Sequence, residues 1–355
     1  MPMADFTPIS EVGEFGLIDR LSARLGVPTS DALAEGIGDD AAVYRVGGAG
    51  SDGASRVHVI TTDALVEGVH FDRTYAPLGM IGWKAIATSV SDVAAMNAEP
   101  RFATVTLGMP NNLSVENAET LYDGVAAACE RYGLDVVGGD VTAAPRLTLS
   151  VTVVGEADEA DVVYRRGAAV GDVLCVTGDL GSAAAGLQVL IAGKDEALAE
   201  ASGDGAESGQ PDLGAFAYVV ERQLMPQARL DRVRAWREAG VRPTSLIDVS
   251  DGLASEVHHL SQAGIVGAVV EGGFLPVHVQ TYQAAERFDA RPEAYALYGG
   301  EDYELLFTMS EADAAALPEG TVAVVGQIVE PEAGVRLRLP DGTLAPLQAG
   351  GYKHY

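Results

Sequence analysis

Apolar positions along this 355-residue chain change period several times, and each change predicts an element. Phe15, Ile18, Leu21 and Leu25 recur at helical spacing and predict an opening helix over 11–25 with one apolar face. Short β-branched runs follow at 42–46 and 57–62, separated by a Gly/Ser-rich loop at 47–55. A long, largely apolar helix is predicted over 77–98, a strand at 102–107, and a helix at 114–132 with Ser114 as its N-cap. Strands at 135–137 and 147–154 close the first half. A polar run at 155–168 marks a domain boundary, giving two domains, 1–157 and 158–355.

A similar order of elements then returns. It comprises a strand at 172–177, a helix at 181–192, and helices at 216–224 and 228–239 broken at Pro226. A strand at 245–249 leads to a helix at 253–263, and strands follow at 266–270, 303–309 and 321–327. Residues 194–214, rich in Asp, Glu, Ser and Gly, predict a mobile insertion with no catalytic part. Strands and helices mix without the strict alternation that a doubly wound parallel sheet needs.

Composition narrows the function. Hydrophobic residues make up 48%, enough for two sizeable cores, and the net charge is −28. That charge argues against nucleic acid or an anionic membrane surface as a partner, and solubility accounts for most of it. Cys129 and Cys175 lie far apart in apolar surroundings and predict buried thiols in a reducing cytoplasm. The first residues lack a basic segment followed by an apolar one, and no uncharged apolar stretch reaches the ~18 residues of a membrane span. A cytoplasmic protein is expected.

The candidate chemistry lies in five acidic signatures: GIGDD (36–40), TTD (61–63), GGD (138–140), DVSDG (248–252) and GGED (299–302). A sixth carboxylate, Asp92, interrupts an apolar helical run. Any one Asp-Gly is an ordinary turn or cap residue. A buried carboxylate such as Asp92 costs several kcal/mol unless a cation or basic partner stands near it. Carboxylates repel phosphates but hold magnesium, and magnesium holds phosphates, so the set reads as either separate turns or one shared metal site. Other chemistries are excluded by pattern: GxxxxGK[ST], GxSxG and HExxH are all missing. GDLGS (178–182) fits an anion site at a helix start or an ordinary tight turn. A non-enzymatic module holding calcium stays open as a second function class, although the EF-hand spacing is missing.

The ordered motifs GIGDDAA, TTDALVEGVHF, KAIATSVSDVAAM, VGGDVT, RRGAAVGDVLCVTGDLGSAAAGL, IDVSDGL and YGGEDYELLF resemble those of the thiamine-monophosphate kinases. The resemblance runs from about residue 13 to 352. It extends more loosely to aminoimidazole ribonucleotide synthetase, selenophosphate synthetase and a hydrogenase maturation factor, so another ATP-dependent member of that superfamily is the alternative. The resemblance implies an α+β fold of two domains, each a mixed sheet layered with helices, and a homodimer joined through its amino-terminal sheets. It implies transfer of the γ-phosphate of ATP to thiamine monophosphate, with several Mg2+ ions between the phosphates.

By the same resemblance Asp40, Thr61, Thr62, Asp63, Asp92, Asp140, Asp248 and Asp251 carry over as metal ligands. Gly139, Asp140, Arg165 and Ser250 carry over as ATP contacts, with Asp63, Asp92, Asp140 and Arg165 at the reacting phosphates. His70, Glu301 and Tyr352 fall where the family holds its acceptor, whose thiazolium cation suits acidic and aromatic neighbours. From the residues alone, His70 also fits a buried structural histidine and Tyr352 a tail anchor. Asp39 stands apart from the ligands, because neighbours in an extended stretch point to opposite sides.

Overall fold

The structure, a computed structural model, describes residues 8–25, 28–49, 55–201, 213–318 and 320–351. Its first sheet comprises β1 (Leu33–Glu35), β2 (Ala42–Ala49), β3 (Ser55–Val66), β4 (Glu99–Met109), β5 (Asp135–Ala143) and β6 (Thr148–Asp158), in the order β1-β2-β3-β6-β4-β5. Neighbours run antiparallel except β4 and β5. Alternation sets the faces: Leu149, Val151 and Val153 of β6 are buried, as are Val57, Val59 and Leu65 of β3. Helices α1 (Gly13–Leu25), α2 (Leu78–Ala95) and α3 (Val115–Tyr132) belong to the same half. Ser114 caps α3 through Asn117 in a reciprocal capping box, as its position predicts. A Cβ at Gly82 of α2 would lie 2.0 Å from the Leu121 carbonyl oxygen, so glycine lets α2 and α3 approach closely.

Two strands outrun their sequence-based ends. β3 continues through the TTD signature to Val66, because Ala64 to Val66 keep pairing with β6. β5 likewise runs through GGD, and every residue of it is exposed at the sheet edge. Three residues of the predicted apolar face of α1, Ile18, Leu21 and Leu25, are exposed.

The second sheet comprises β7 (Val173–Val176), β8 (Ser245–Asp248), β9 (Gly267–Glu271), β10 (Leu305–Met309), β11 (Ala323–Val329), β12 (Val335–Arg338) and β13 (Leu344–Pro346). Their order is β13-β12-β9-β11-β7-β10-β8, antiparallel except for β9 with β12. Its helices are α4 (Ser182–Ala201), α5 (Ala217–Leu224), α6 (Leu230–Ala239), α7 (Leu253–Gly264), α8 (Val279–Arg287), α9 (Pro292–Tyr298) and α10 (Glu311–Ala316). The α+β class expected above is what the structure has.

α4 corrects the expectation at 194–214. Lys194, Glu196, Ala197 and Leu198 are good helix formers, and the helix runs on to Ala201. Residues 202–212 of that segment lie outside the described residues. Most of the 47–55 loop does too. Short elements escaped the pattern: β1, β12, β13, α8, α9 and α10 each hold fewer than ten residues. One buried cluster joins the halves, running from Val90 of α2 and Met96 just after it to Trp236, Leu246 and Phe307. Trp83 Nε1 donates to the Pro226 carbonyl at 2.8 Å and fastens α2 to the turn between α5 and α6.

Candidate active site

α2 carries Asp92 to the seam between the sheets. There one carboxylate oxygen each from Asp40, Asp92 and Asp248 lies within 4.8 Å of the other two. Asp63 stands beside them, on the β3 face that packs against α2. Thr61 donates to Asp92 Oδ2 at 2.5 Å, and Ser91 donates to Asp248 Oδ2 at 2.7 Å. Arg165 approaches from the inter-sheet segment: Nη2 donates to Asp40 Oδ1 at 2.7 Å and Nε to Oδ2 at 3.3 Å.

Burial and mutual repulsion dominate the electrostatics. Asp92 is pushed well above the usual carboxylate range by burial, then by Asp63, Asp248 and Asp40. Burial and Asp40 push Asp248 up to about 8. Asp39 rises to about 7, again through burial first and Asp40 second. One guanidinium cannot offset several desolvated acids, and convergent hard oxygens are the donors that Mg2+ takes. The residues therefore fit a magnesium site.

The cluster floors a cavity of about 570 Å³. Asp63, Asp92 and Asp248 line it together with His70, Tyr75 and Glu301. A second cavity of about 690 Å³ is walled by Ser255, His258 and His259, and the two share Asp251 and Glu14. His70 Nδ1 accepts from the Val66 N–H at 3.0 Å, which leaves the ring's proton on Nε2 in the neutral form. The DVSDG and GGED loops interlock. Glu301 N–H donates to the Ser250 carbonyl at 2.6 Å, and a Cβ at Gly300 (φ 74°) would lie 2.6 Å from that same oxygen. Glu301 (φ 59°) and Tyr303 (φ 52°) take the left-handed backbone that non-glycine residues seldom adopt, which is strain held at a cavity wall.

Of the sequence-predicted residues, Asp40, Thr61, Asp63, Asp92, Asp248 and Arg165 meet at the cluster. Ser250 and Asp251 border the same cavity, as do His70 and Glu301. Thr62 points its side chain the other way, as alternation along β3 requires: its hydroxyl donates to the Val151 carbonyl at 3.2 Å and accepts from Thr152 at 3.0 Å. Gly139 and Asp140 lie on the exposed edge strand β5. Asp140 shares a register row with Thr106, Ser150 and Ala64, on the sheet face turned away from α2. The structure does not bring Thr62 or Asp140 side chains to the cluster of this chain. Tyr352 lies outside the described residues.

Asp39, set apart in the sequence, accepts from the Arg165 backbone N–H at 3.2 Å. Sequence reasoning missed Glu256, buried and pushed well above its usual range by burial, which accepts from the Asp251 N–H at 2.9 Å. A signal existed: Glu256 stands one turn into the helix after DVSDG, where an acid commonly turns back on the preceding loop. Lys194 was also missed; it pairs with Asp72 at 2.5 Å on the cavity wall.

Known proteins are similar to this chain along almost their whole length. A thiamine-monophosphate kinase from Aquifex aeolicus is 36% identical over 335 residues, covering 91% of this chain and 98% of that protein. One from Bacillus subtilis is 31% identical, covering 96% and 99%. The chain belongs to the thiamine-monophosphate kinase family. The family model "AIR synthase related protein, N-terminal domain" matches residues 38–157. Among solved structures, "AaThiL complexed with AMPPCP and TMP" superposes with a TM-score of 0.80 at 34% identity, covering 99% of this chain and 100% of that one. The Escherichia coli hydrogenase maturation protein HypE shares the fold alone, at 21% identity and a TM-score of 0.63. Thiamine-monophosphate kinases thus supply the setting in which this cluster is read.

Proposed function

We propose that this chain transfers the γ-phosphate of ATP to thiamine monophosphate, giving ADP and thiamine diphosphate. The observation that carries the reading is the near full-length kinship with thiamine-monophosphate kinases, met here by a buried carboxylate cluster at the floor of a cavity. The nucleophile is an oxygen of the acceptor's own phosphate, largely dianionic at pH 7 because its second pKa is about 6. No protein base is needed. The barrier lies in bringing two anions into line, so positioning and charge neutralisation supply the acceleration.

Asp40, Asp63, Asp92 and Asp248 would hold Mg2+, with Thr61, Thr62, Asp140 and Asp251 as the further ligands the resemblance implies. Bound there, magnesium neutralises and aligns the two phosphate groups. Arg165 fixes Asp40 and presents its guanidinium to the nucleotide phosphates. Gly139, Asp140 and Ser250 complete the proposed ATP contacts. His70 and Glu301, which line the cavity, would receive the thiamine portion, with Tyr352 as the aromatic contact the resemblance implies.

The homodimer belongs to the same proposal, as does the division into 1–157 and 158–355. Exposed β5, with Val137 and Val141 at 60% and 68% accessibility, is an unpaired apolar sheet edge of the kind proteins cover. Among the described residues no helix is long and apolar enough to cross a membrane. We place the enzyme in the cytoplasm, where ATP is supplied. Incubation with ATP, Mg2+ and thiamine monophosphate, followed by chromatography, should yield thiamine diphosphate, and free thiamine should give little or none. Equal conversion of the two acceptors would overturn the proposal.

A further inference from the structure

Lys84 is the surprise of α2. It sits at 4% accessibility in a helix whose neighbours Trp83, Ala85, Ile86 and Ala87 are all buried and apolar. Burying an ammonium is costly, and a Met of similar length would fill the same space without that cost. The ammonium therefore does something the apolar stem cannot.

Its partners say what. Lys84 Nζ lies 2.8 Å from Glu301 Oε1 and donates to the Gln223 main-chain carbonyl at 3.3 Å. Gln223, itself at 3% accessibility on α5, donates from Nε2 to Glu301 Oε2 at 2.6 Å. Both carboxylate oxygens of Glu301 are thus held, one by α2 and one by α5. The residue they hold sits on a left-handed backbone (φ 59°) at the cavity wall, where a glutamate without support would swing. Lys84, Thr88 and Asp92 fall at i, i+4 and i+8, one stripe of α2. Thr88 and Asp92 line the cavity, so a single rigid helix spans from the carboxylate cluster to the Glu301 clamp, about 12 Å at 1.5 Å per residue.

We infer that Lys84, with Gln223, is a positioning residue for acceptor recognition. It fixes the Glu301 carboxylate at a set distance from the Asp92 cluster, so that the carboxylate is held in one orientation for a cationic ring. The inference rests on the proposed acceptor and on the assignment of Glu301 to it, and it adds residues that the motif resemblance did not assign.

The test is a double-mutant cycle on the full chain, read as KM for thiamine monophosphate, KM for ATP and melting temperature. Lys84→Met should raise the acceptor KM about tenfold and leave the ATP KM within about twofold. In a Glu301→Gln background the same change should raise the acceptor KM by less than about twofold, because Lys84 acts through Glu301. Equal fold-losses in both backgrounds, or an ATP KM that moves while the acceptor KM stays, overturn the inference. If Lys84→Met does not fold, Gln223→Met takes its place in the same cycle, since it removes the second hold and strands no charge. Wild-type turnover is measured first. Its absence overturns the functional reading and this inference with it, whereas normal wild-type turnover with additive losses overturns this inference alone.

Discussion

Ser91 Oγ donates a 2.7 Å hydrogen bond to Asp248 Oδ2, joining a helix laid on the first sheet to the last residue of a strand in the second. The next residue along α2, Asp92, enters the same cluster. Adjacent positions on one helix turn thus do two tasks: Ser91 seats the second sheet's carboxylate, and Asp92 adds its own. The cluster is assembled only when the two sheets are in register with each other.

Removing the Ser91 hydroxyl should loosen Asp248 without deleting a ligand. Ser91→Ala forfeits a buried hydrogen bond to a charged group, worth about 1.5–3 kcal/mol. The Mg2+ concentration giving half-maximal rate should rise by roughly an order of magnitude, while the rate at saturating Mg2+ recovers most of its value. A magnesium titration of initial rates checks this, and an unchanged midpoint would show that Asp248 needs no help from Ser91.

Asp92 is the residue on which the cluster's repulsions converge. Asp92→Asn should lower turnover by on the order of a hundredfold or more, as lost transition-state charge stabilisation does. The metal-free protein should melt no lower than wild type, because asparagine removes the burial penalty and the repulsion from three other acids that bear on this carboxyl group. Near-normal turnover would exclude Asp92 from metal binding.

How much of this was legible beforehand depends on what each residue's neighbours share with it in sequence. Asp92 stood out because its own helix is apolar on every side, so burial could be inferred locally. The α+β class followed from motif resemblance, and most elements longer than about ten residues from periodicity. Thr62 carries over with Thr61 and Asp63 by the motif resemblance, but β3 does not end at the signature, and alternation turns the Thr62 side chain to the opposite face. The place of Asp140 is not legible from GGD for a related reason: β5 runs through that motif along the sheet edge, so within this chain its side chain stands away from the cluster. Lys84 and Gln223 were invisible as a pair because nothing in a linear pattern tells that residues 139 positions apart meet on one carboxylate.

Stability of the metal-free protein should fall as pH rises. Burial, with help from Asp40, holds Asp39 at about 7 and Asp248 at about 8, while both titrate near 3.8 in the unfolded chain. The folded state therefore binds more protons across that interval. Its extra stability is full below about pH 4 and is lost as pH climbs through 7 to 8. Magnesium binds the ionised form and acts in the opposite sense. Melting curves in chelator should drop between about pH 4 and 8 and level off above that, and excess Mg2+ should flatten or reverse the slope. A metal-free melting temperature that rises over this range would show the acids to be ionised and paired.

His70 lines the cavity with Nδ1 occupied by the Val66 N–H, and it is proposed to meet the acceptor. His70→Ala should raise the KM for thiamine monophosphate about five- to thirtyfold, equivalent to about 1–2 kcal/mol, and leave the ATP KM within about twofold. Titrating each substrate at saturating partner separates the two. A loss confined to melting temperature would make His70 a structural histidine that merely holds the turn after β3.

The exposed edge strand gives the last prediction. β5 pairs with β4 on one side only, and Val137 and Val141 project from it at 60% and 68% accessibility. A second copy of the chain is the partner this edge is proposed to meet. A lysine placed on an edge strand opposes such pairing by burying a charge in the new interface. Val141→Lys should therefore shift the sedimentation of the protein from dimer to monomer at micromolar concentration. The melting temperature of the chain should change little, since this side chain makes no core contact. Asp140 is the preceding residue on the same strand, so the monomeric variant should also lose activity if strand pairing is what carries Asp140 to a cluster. A wild-type protein that sediments as a monomer and is fully active would dismiss both the dimer and the role of Asp140.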